Sequence, residues 1–334
     1  MARVSVLLPC RDAAAYLPAA AASLAAQTWR DFEVIAVDDG SRDHTAALLD
    51  DWRARDPRVR LLRIDARGLV GALNAALDRA GGEIIARMDA DDVARPDRLA
   101  RQVEALDADP ALAACGTRIR YFPRRAVRGG ARRYESWING LTRPDELVRD
   151  MFVECPIAHP TLAIRRAALD AVGGYRDPGW PEDYDLVLRL WLRGLRLSNV
   201  PEFLLDWREG AHRLSRSDAR YSEAAFRRCK VHYLRAGFLD RFDGVVVWGA
   251  GPVGKLFARE LQTAGQGVRA FIDLDPRKVG QTVHGAPVVR PHDLRNFPDA
   301  FVVAAVGAAH ARAEIRAALA AAGRVEMKDC CAVA

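Results

Sequence analysis

Three aspartates within four positions, Asp89, Asp91 and Asp92, follow the apolar run 83–88, and a second acidic pair, Asp38-Asp39, ends the apolar run 32–37 just before Gly40-Ser41. Side chains alternate along a strand, so Asp89 and Asp91 are expected on one face. Paired carboxylates there suit a hard divalent ion, Mg2+ or Mn2+, which takes oxygen ligands and completes its shell with substrate phosphates. The alternative is a solvated acidic turn ahead of a helix near Pro96, where acids favour the helix dipole. Asp39 can accept a hydrogen bond from a base N–H while Gly40 lets the backbone approach closely. The alternative there is a local turn, with Ser41 or Asp43 capping the helix through Thr45. Capping explains one acidic turn but not acids after both strands.

Two further patterns carry chemistry. Glu182-Asp183, after Trp180-Pro181, opens a helix, where a carboxylate is favoured with or without a functional role. Gly249-x-Gly251-x-x-Gly254 follows an apolar run and opens a helix, and Asp273 ends the next run about twenty residues on. That context gives a dinucleotide-type half fold, with a phosphate at the helix N-terminus and a ribose on Asp273, a second nucleotide site. A turn kept for packing alone is the alternative.

The elements that must position these groups alternate through the first ninety residues. Strands are expected at 4–8, 32–37, 59–64 and 83–88, with helices at 13–27, 45–55 and 69–80. Such alternation implies a parallel sheet with right-handed crossovers and ligands at the carboxyl ends of its strands. From 95 to 238 the pattern loosens, and the Arg-rich stretch 118–133 with Gly129-Gly130 reads as a surface loop. A second α/β unit starts at Val245. The expected division is therefore 1–240 and 241–334, two domains being the expectation for 334 residues.

Charged residues make up 28%, and no run of about twenty apolar residues lacks charge, so no membrane span is expected. Six scattered Cys without a metal spacing fit a reducing cytoplasm. The net charge is +6, and 46 of the 50 basic residues are Arg, an Arg and Ala bias typical of GC-rich bacterial genomes. No aromatic–basic motif accompanies the charge, so nucleic acid is not expected as a partner.

Val4-Ser-Val-Leu-Leu-Pro9, Ser23-Leu-Ala-Ala-Gln27-Thr28 and the run Asp31 to Ser41, then Gly71-Ala-Leu-Asn74, Asp89-Ala-Asp91-Asp92 and Arg95-Pro96-Asp97-Arg98-Leu99, resemble a family 2 glycosyltransferase of the GT-A fold. The resemblance spans roughly residues 3 to 215, about two-thirds of the chain. It implies an α/β fold with a mixed central sheet flanked by helices, here followed by a small Rossmann-like α/β domain. It also implies roles. Pro9 and Arg11 line the nucleotide, Asp39 binds the base and Asp38 supports it. Asp89 contacts ribose or the metal region, and Asp91 ligates the ion bridging the diphosphate. Asp183 is the catalytic base, with Glu182 in reserve. Arg208 pairs with phosphate oxygens and His212 is a third metal ligand. His159 lies near the acceptor, or is a packed loop histidine, and Trp180 is a sugar platform.

The implied reaction is inverting transfer of a sugar from a nucleotide-diphosphate sugar to an acceptor hydroxyl. The expected setting is bacterial cell-surface polysaccharide synthesis in the cytoplasm. A glycan or lipid-linked acceptor is expected, with peripheral membrane contact through the 118–133 arginines. An NAD-dependent sugar oxidoreductase would leave Asp38, Asp39, Asp91 and Asp183 unexplained. A non-catalytic nucleotide- or carbohydrate-binding scaffold would be untouched by Asp183→Asn.

Overall fold

The computed structural model describes every residue except Met1, Ala211 and His212. Contacts divide the chain into two compact units. The first holds residues 1–147, 156–178 and 185–217, and the second holds 148–155, 179–184 and 218–334. This differs from a division at 240/241: the helix Glu223–Gly237 and two short segments from mid-chain cluster with the C-terminal part. That helix buries Cys229, Val231, Tyr233 and Leu234, so its apolar stripe needs a core of its own unit to cover it.

Among the described residues the first unit is built on eight strands: β1 (Val4–Cys10), β2 (Phe32–Asp39), β3 (Val59–Ile64), β4 (Ile84–Arg87), β5 (Val93–Ala94), β6 (Leu112–Phe122), β7 (Ala163–Arg165) and β8 (Arg196–Arg208). Their order is β3-β2-β1-β4-β7-β6-β8-β5. The first four in that order run parallel, β7 is antiparallel to both β4 and β6, and β5 is antiparallel to β8. The sheet is therefore mixed, and its parallel half comes from the alternating N-terminal segment.

β1 is buried almost throughout, as a strand covered on both faces must be. Val4, Val6 and Leu8 join a core with Leu17, Leu24, Leu49, Trp52, Leu99, Val103 and Leu106 from the helices Leu17–Ala25, Thr45–Arg55 and Arg98–Ala108. Leu7 has the opposite parity and is equally buried, as are Ala72, Leu73, Ala76 and Leu77 of the helix Gly68–Leu77. Burying each such aliphatic side chain contributes about 1.5–3 kcal/mol relative to leaving it exposed.

The Arg-rich stretch is not a loop. β6 runs on to Phe122, a short 3-10 turn covers Arg124–Ala126, and a helix spans Gly129–Asn139. Ala131, Tyr134, Trp137 and Ile138 recur at helical spacing and pack on the core of the first unit. The arginines and glycines masked that periodicity.

The second unit carries β9 (Val245–Trp248), β10 (Val268–Ile272), β11 (Thr282–Val283), β12 (Ala286–Val289), β13 (Phe301–Ala304) and β14 (Cys330–Ala332), ordered β11-β12-β10-β9-β13-β14. All pair in parallel except β11 with β12. Val246, Trp248, Ile272, Val302, Ile315 and Leu319 form its core. Among the described residues no helix is long and apolar enough to cross a membrane.

Candidate active site

The carboxyl ends of β1, β2 and β4 lie side by side, since Cys10 pairs with Asp38 and Leu7 with Arg87. The turns that leave these strands are thereby brought to one edge. β2 ends in Asp38 and Asp39, both buried. The Asp38 Oδ1 accepts the Ser41 N–H at 3.1 Å, closing the turn at Gly40. Gly40 sits at φ +68, and a Cβ there would meet the Ala66 nitrogen at 3.1 Å, so the turn is both left-handed and tightly backed. Asp39 accepts the backbone N–H groups of Arg67 (2.6 Å) and Gly68 (2.9 Å) at the start of the helix Gly68–Leu77. The Arg11 guanidinium lies 3.5 Å from its Oδ2. Asp39 is thus a helix cap from a distant strand, an arrangement that neighbour-based reading of the turn misses. Each of its oxygens keeps a second lone pair for another donor. Pro9 stands on β1 beside Val37.

β4 ends at Arg87, so Asp89, Asp91 and Asp92 lie in the turn beyond it rather than on the strand. Strand alternation does not bring them together; a tight turn, with the Asp92 N–H donating to the Asp89 carbonyl at 3.4 Å, does. One carboxylate oxygen from each of the three lies within 4.8 Å of the others. Asp92 is buried, and its Oδ1 accepts the Arg208 N–H at 2.7 Å while its Oδ2 has no hydrogen-bond donor. Arg208 also donates from Nε to the Asp91 carbonyl at 2.7 Å, its guanidinium carbon 4.5 Å from the Tyr16 ring centre and 4.4 Å from that of Phe122. Arg208 therefore ties the end of β8 to the acid turn.

Electrostatics mark the cluster as short of positive charge. Burial, then the charge of Asp89, push Asp91 up to about 6. Burial and the charges of Asp89 and Asp91 hold Asp92 well above the usual carboxylate range. The compensating cation is Arg87, buried at the base of the turn and ion-paired with Asp89. Burial works most strongly against its charge, but Asp89, Tyr175 and Asp92 together hold it above its ordinary value. Arg213 stacks on Trp207, its guanidinium carbon 4.2 Å from the ring centre, and pairs with Glu209. Sequence reasoning did not single out Arg87 or Arg213; a lone Arg beside an Asp-rich turn carries no spacing signal. An all-oxygen donor set, an unsatisfied buried oxygen and crowded carboxylates fit a hard divalent cation. His212, expected as a further ligand, lies outside the described residues.

His159 lies in the 3-10 turn His159–Thr161 of the first unit. It is buried, with its ring centre 5.6 Å from that of Tyr175. Burial, then the Arg87 charge, hold it well below the usual histidine range, so it is a neutral imidazole.

The remaining expected residues fall in the second unit. Glu182 is buried, and both of its oxygens accept from the Tyr221 hydroxyl at 2.8 and 2.7 Å. Asp183 is half-buried and its Oδ1 accepts its neighbour's N–H at 2.7 Å. Trp180 packs near His232, ring centres 5.2 Å apart and planes tilted by 40°. Gly249, Gly251, Gly254 and Asp273 do converge. A Cβ on Gly254 would meet the Gly249 carbonyl oxygen at 1.8 Å, so no side chain fits there unless the turn's backbone shifts. Asp273 Oδ2 accepts from the Ala250 N–H and the Lys278 ammonium, both at 2.9 Å, and its Oδ1 from the Asp275 N–H. The carboxylate is engaged in holding the glycine turn.

Comparisons with known proteins cover about two-thirds of the chain. The O-antigen biosynthesis glycosyltransferase WbnJ of Escherichia coli is 31% identical, the match covering 66% of this chain and 85% of WbnJ. A structure of S. aureus TarS, residues 1–349, in complex with UDP-GlcNAc shares the fold. Its TM-score is 0.54 at 19% identity, over 71% of this chain and 72% of that one. The mannosyltransferase PcManGT of Pyrobaculum calidifontis, in complex with GDP-Man and Mn2+, superposes with TM-score 0.51 at 22% identity, over 70% of this chain and 62% of that one. Both are GT-A structures, and the mixed sheet described above is that fold. The family model for glycosyl transferase family 2 matches residues 5–173, half of the chain. With the acid-lined edge of the sheet inside that span, the chain belongs to glycosyl transferase family 2.

Proposed function

We propose that this glycosyltransferase is inverting and uses a nucleotide-diphosphate sugar and a divalent cation, Mn2+ or Mg2+, in bacterial cell-surface polysaccharide synthesis. The observation that carries the reading is the convergence of three carboxylates within 4.8 Å at the edge where Asp38 and Asp39 also end their strand. The relative WbnJ acts in O-antigen biosynthesis, and the neighbouring structures hold UDP-GlcNAc, or GDP-Man with Mn2+.

Asp91 and Asp89 would hold the ion, whose chemistry when bound is to stabilise negative charge on the departing diphosphate. Asp39, backed by Asp38, would accept from the base, with Pro9 and Arg11 beside it. Arg208 would meet phosphate oxygens at the acid turn. Asp183 would act as general base. A carboxylate with an ordinary pKa near 4 cannot deprotonate a hydroxyl in advance, but it can take the proton as the new bond forms. Of the acidic pair Asp183 is the more accessible, whereas Glu182 is buried against Tyr221. Neutral His159 and Trp180 would border the acceptor, a glycan or lipid-linked sugar. The engaged Asp273 leaves the glycine turn's backbone, rather than that carboxylate, as the means of holding a second nucleotide.

The test is a panel of UDP- and GDP-sugars with Mn2+ or Mg2+ and a set of glycan and lipid-linked acceptors. Nucleoside diphosphate release is followed together with the anomeric configuration of the product by NMR. Release that needs the ion, with inverted product, is the expected result. Retention at the anomeric carbon, or release undiminished in EDTA, would overturn the reading.

A further inference from the structure

Arg118 and Arg120 stand two residues apart on β6 and so share one face of the strand. With Arg124, Arg132, Glu135 and Phe203 they line a cavity of about 780 Å3, closed on one side by the helix Gly129–Asn139. None of these residues belongs to the acid-lined edge. Glu135 is the one carboxylate among the lining residues, and it is engaged: both oxygens accept from the Arg124 Nη1 at 2.8 Å, and Oε1 also takes the Tyr121 N–H at 2.8 Å. Among the described residues, no ion pair joins Arg118, Arg120 or Arg132 to a carboxylate. Arg118 is fixed by neutral acceptors, Nε on the Asn139 carbonyl at 2.8 Å and Nη1 on the Pro201 carbonyl at 3.1 Å. Arg132 donates from Nε to the Val127 carbonyl at 3.2 Å. Phe203, 46% exposed, braces two of the cations, with Arg118 at 6.0 Å and Arg120 at 5.4 Å from its ring centre.

Backbone carbonyls and a ring position these guanidiniums without cancelling their charge. Arg58, Arg143 and Arg277, by contrast, each fork onto an aspartate two residues away. Three uncompensated guanidiniums gathered in one concavity repel one another when it holds no anion and attract one strongly. The planar fork matches phosphate oxygens two at a time.

We propose that this cavity is a binding site for a phosphate-bearing anion, met either as a soluble phosphate ester or diphosphate or as the headgroups of a lipid surface. The site is separate from the donor seat and does not depend on the reaction proposed above.

The test uses the full chain in EDTA with no divalent cation. Binding of inorganic pyrophosphate is measured by calorimetry. Binding to vesicles is measured by co-sedimentation, using phosphatidylcholine with and without phosphatidylglycerol. Arg120→Glu/Arg132→Glu alters two exposed cavity residues. Arg53→Glu/Arg55→Glu makes the same change in net charge on the helix Thr45–Arg55. Loss of about tenfold or more per guanidinium is expected for the cavity pair, with the control pair close to wild type. Arg120→Gln/Arg132→Gln repeats the comparison if the reversed pair melts early. Binding confined to one probe identifies the source and supports the site. Equal loss in the cavity and control pairs, or no binding of either probe to the wild type, overturns it.

Discussion

Asp91→Asn should make the cation-free protein more stable while removing its response to donor and metal. Three carboxylate oxygens lie within 4.8 Å of one another in the turn after β4. At an effective dielectric of about 20, two unit charges at that separation repel by roughly 3.5 kcal/mol. Arg87 and Arg213 offset part of this, and solvent reaches the half-buried Asp91, leaving a relief of about 1–2 kcal/mol when one charge is removed with the shape kept. For a unit of some 200 residues that is a rise in Tm of about 2–8 °C in EDTA. The wild type should gain stability from Mn2+ with its nucleotide sugar, about 2.7 kcal/mol at a hundredfold excess over Kd. The variant should lose most of that gain. Thermal melts of both proteins, in EDTA and with Mn2+ plus each donor, read the two effects separately. A lower Tm for the variant in EDTA would refute the crowding argument. An unchanged donor-dependent shift would refute the assignment of Asp91 to the ion.

Asp183→Asn should lower kcat by about 10²–10⁴-fold while leaving donor-induced stabilisation intact; a smaller loss, or loss of donor binding instead, argues against a general base there. His159 is held well below the usual histidine range, so the unfolded chain takes up a proton before the folded one does. Its contribution to stability is therefore present above about pH 6.5 and is lost as the pH falls, at up to about 1.4 kcal/mol per pH unit. Urea midpoints between neutral and mildly acidic pH should fall less steeply for His159→Gln, and parallel slopes would contradict this. Gly254→Ala should destabilise the second unit by about 1–3 kcal/mol or more, whereas Gly251→Ala, where an added Cβ meets nothing within 4 Å, should be much milder. Similar urea denaturation curves for the two would show that the turn relaxes.

The acidic residues at the parallel sheet edge were legible because strand and helix periods alternate cleanly through residue 90, and topology does the rest. Asp39 and Asp91 reach the same edge because their strands flank β1. What the sequence concealed were partners from distant stretches: Arg87 beneath Asp89, Asp39 capping a helix 28 residues on, Tyr221 gripping Glu182. No local spacing announces such pairs. The Gly129–Asn139 helix was hidden by composition, since Gly129-Gly130 and the arginines read as loop while Ala131, Tyr134, Trp137 and Ile138 carried the helical period. Which core covers the helix Glu223–Gly237 was not legible either, because an apolar stripe does not name its partner.

The acid turn is stapled at both ends. It leaves β4 at Arg87 and enters β5 at Val93, which pairs with Asp206 on β8, and two residues further along β8 Arg208 fastens the turn's middle. Such a seat is rigid before any ion arrives, so coordination would require little rearrangement of the chain. If the donor seat is the acid turn, as proposed, variation in the segments that meet the acceptor would redirect which hydroxyl is glycosylated without retuning that turn.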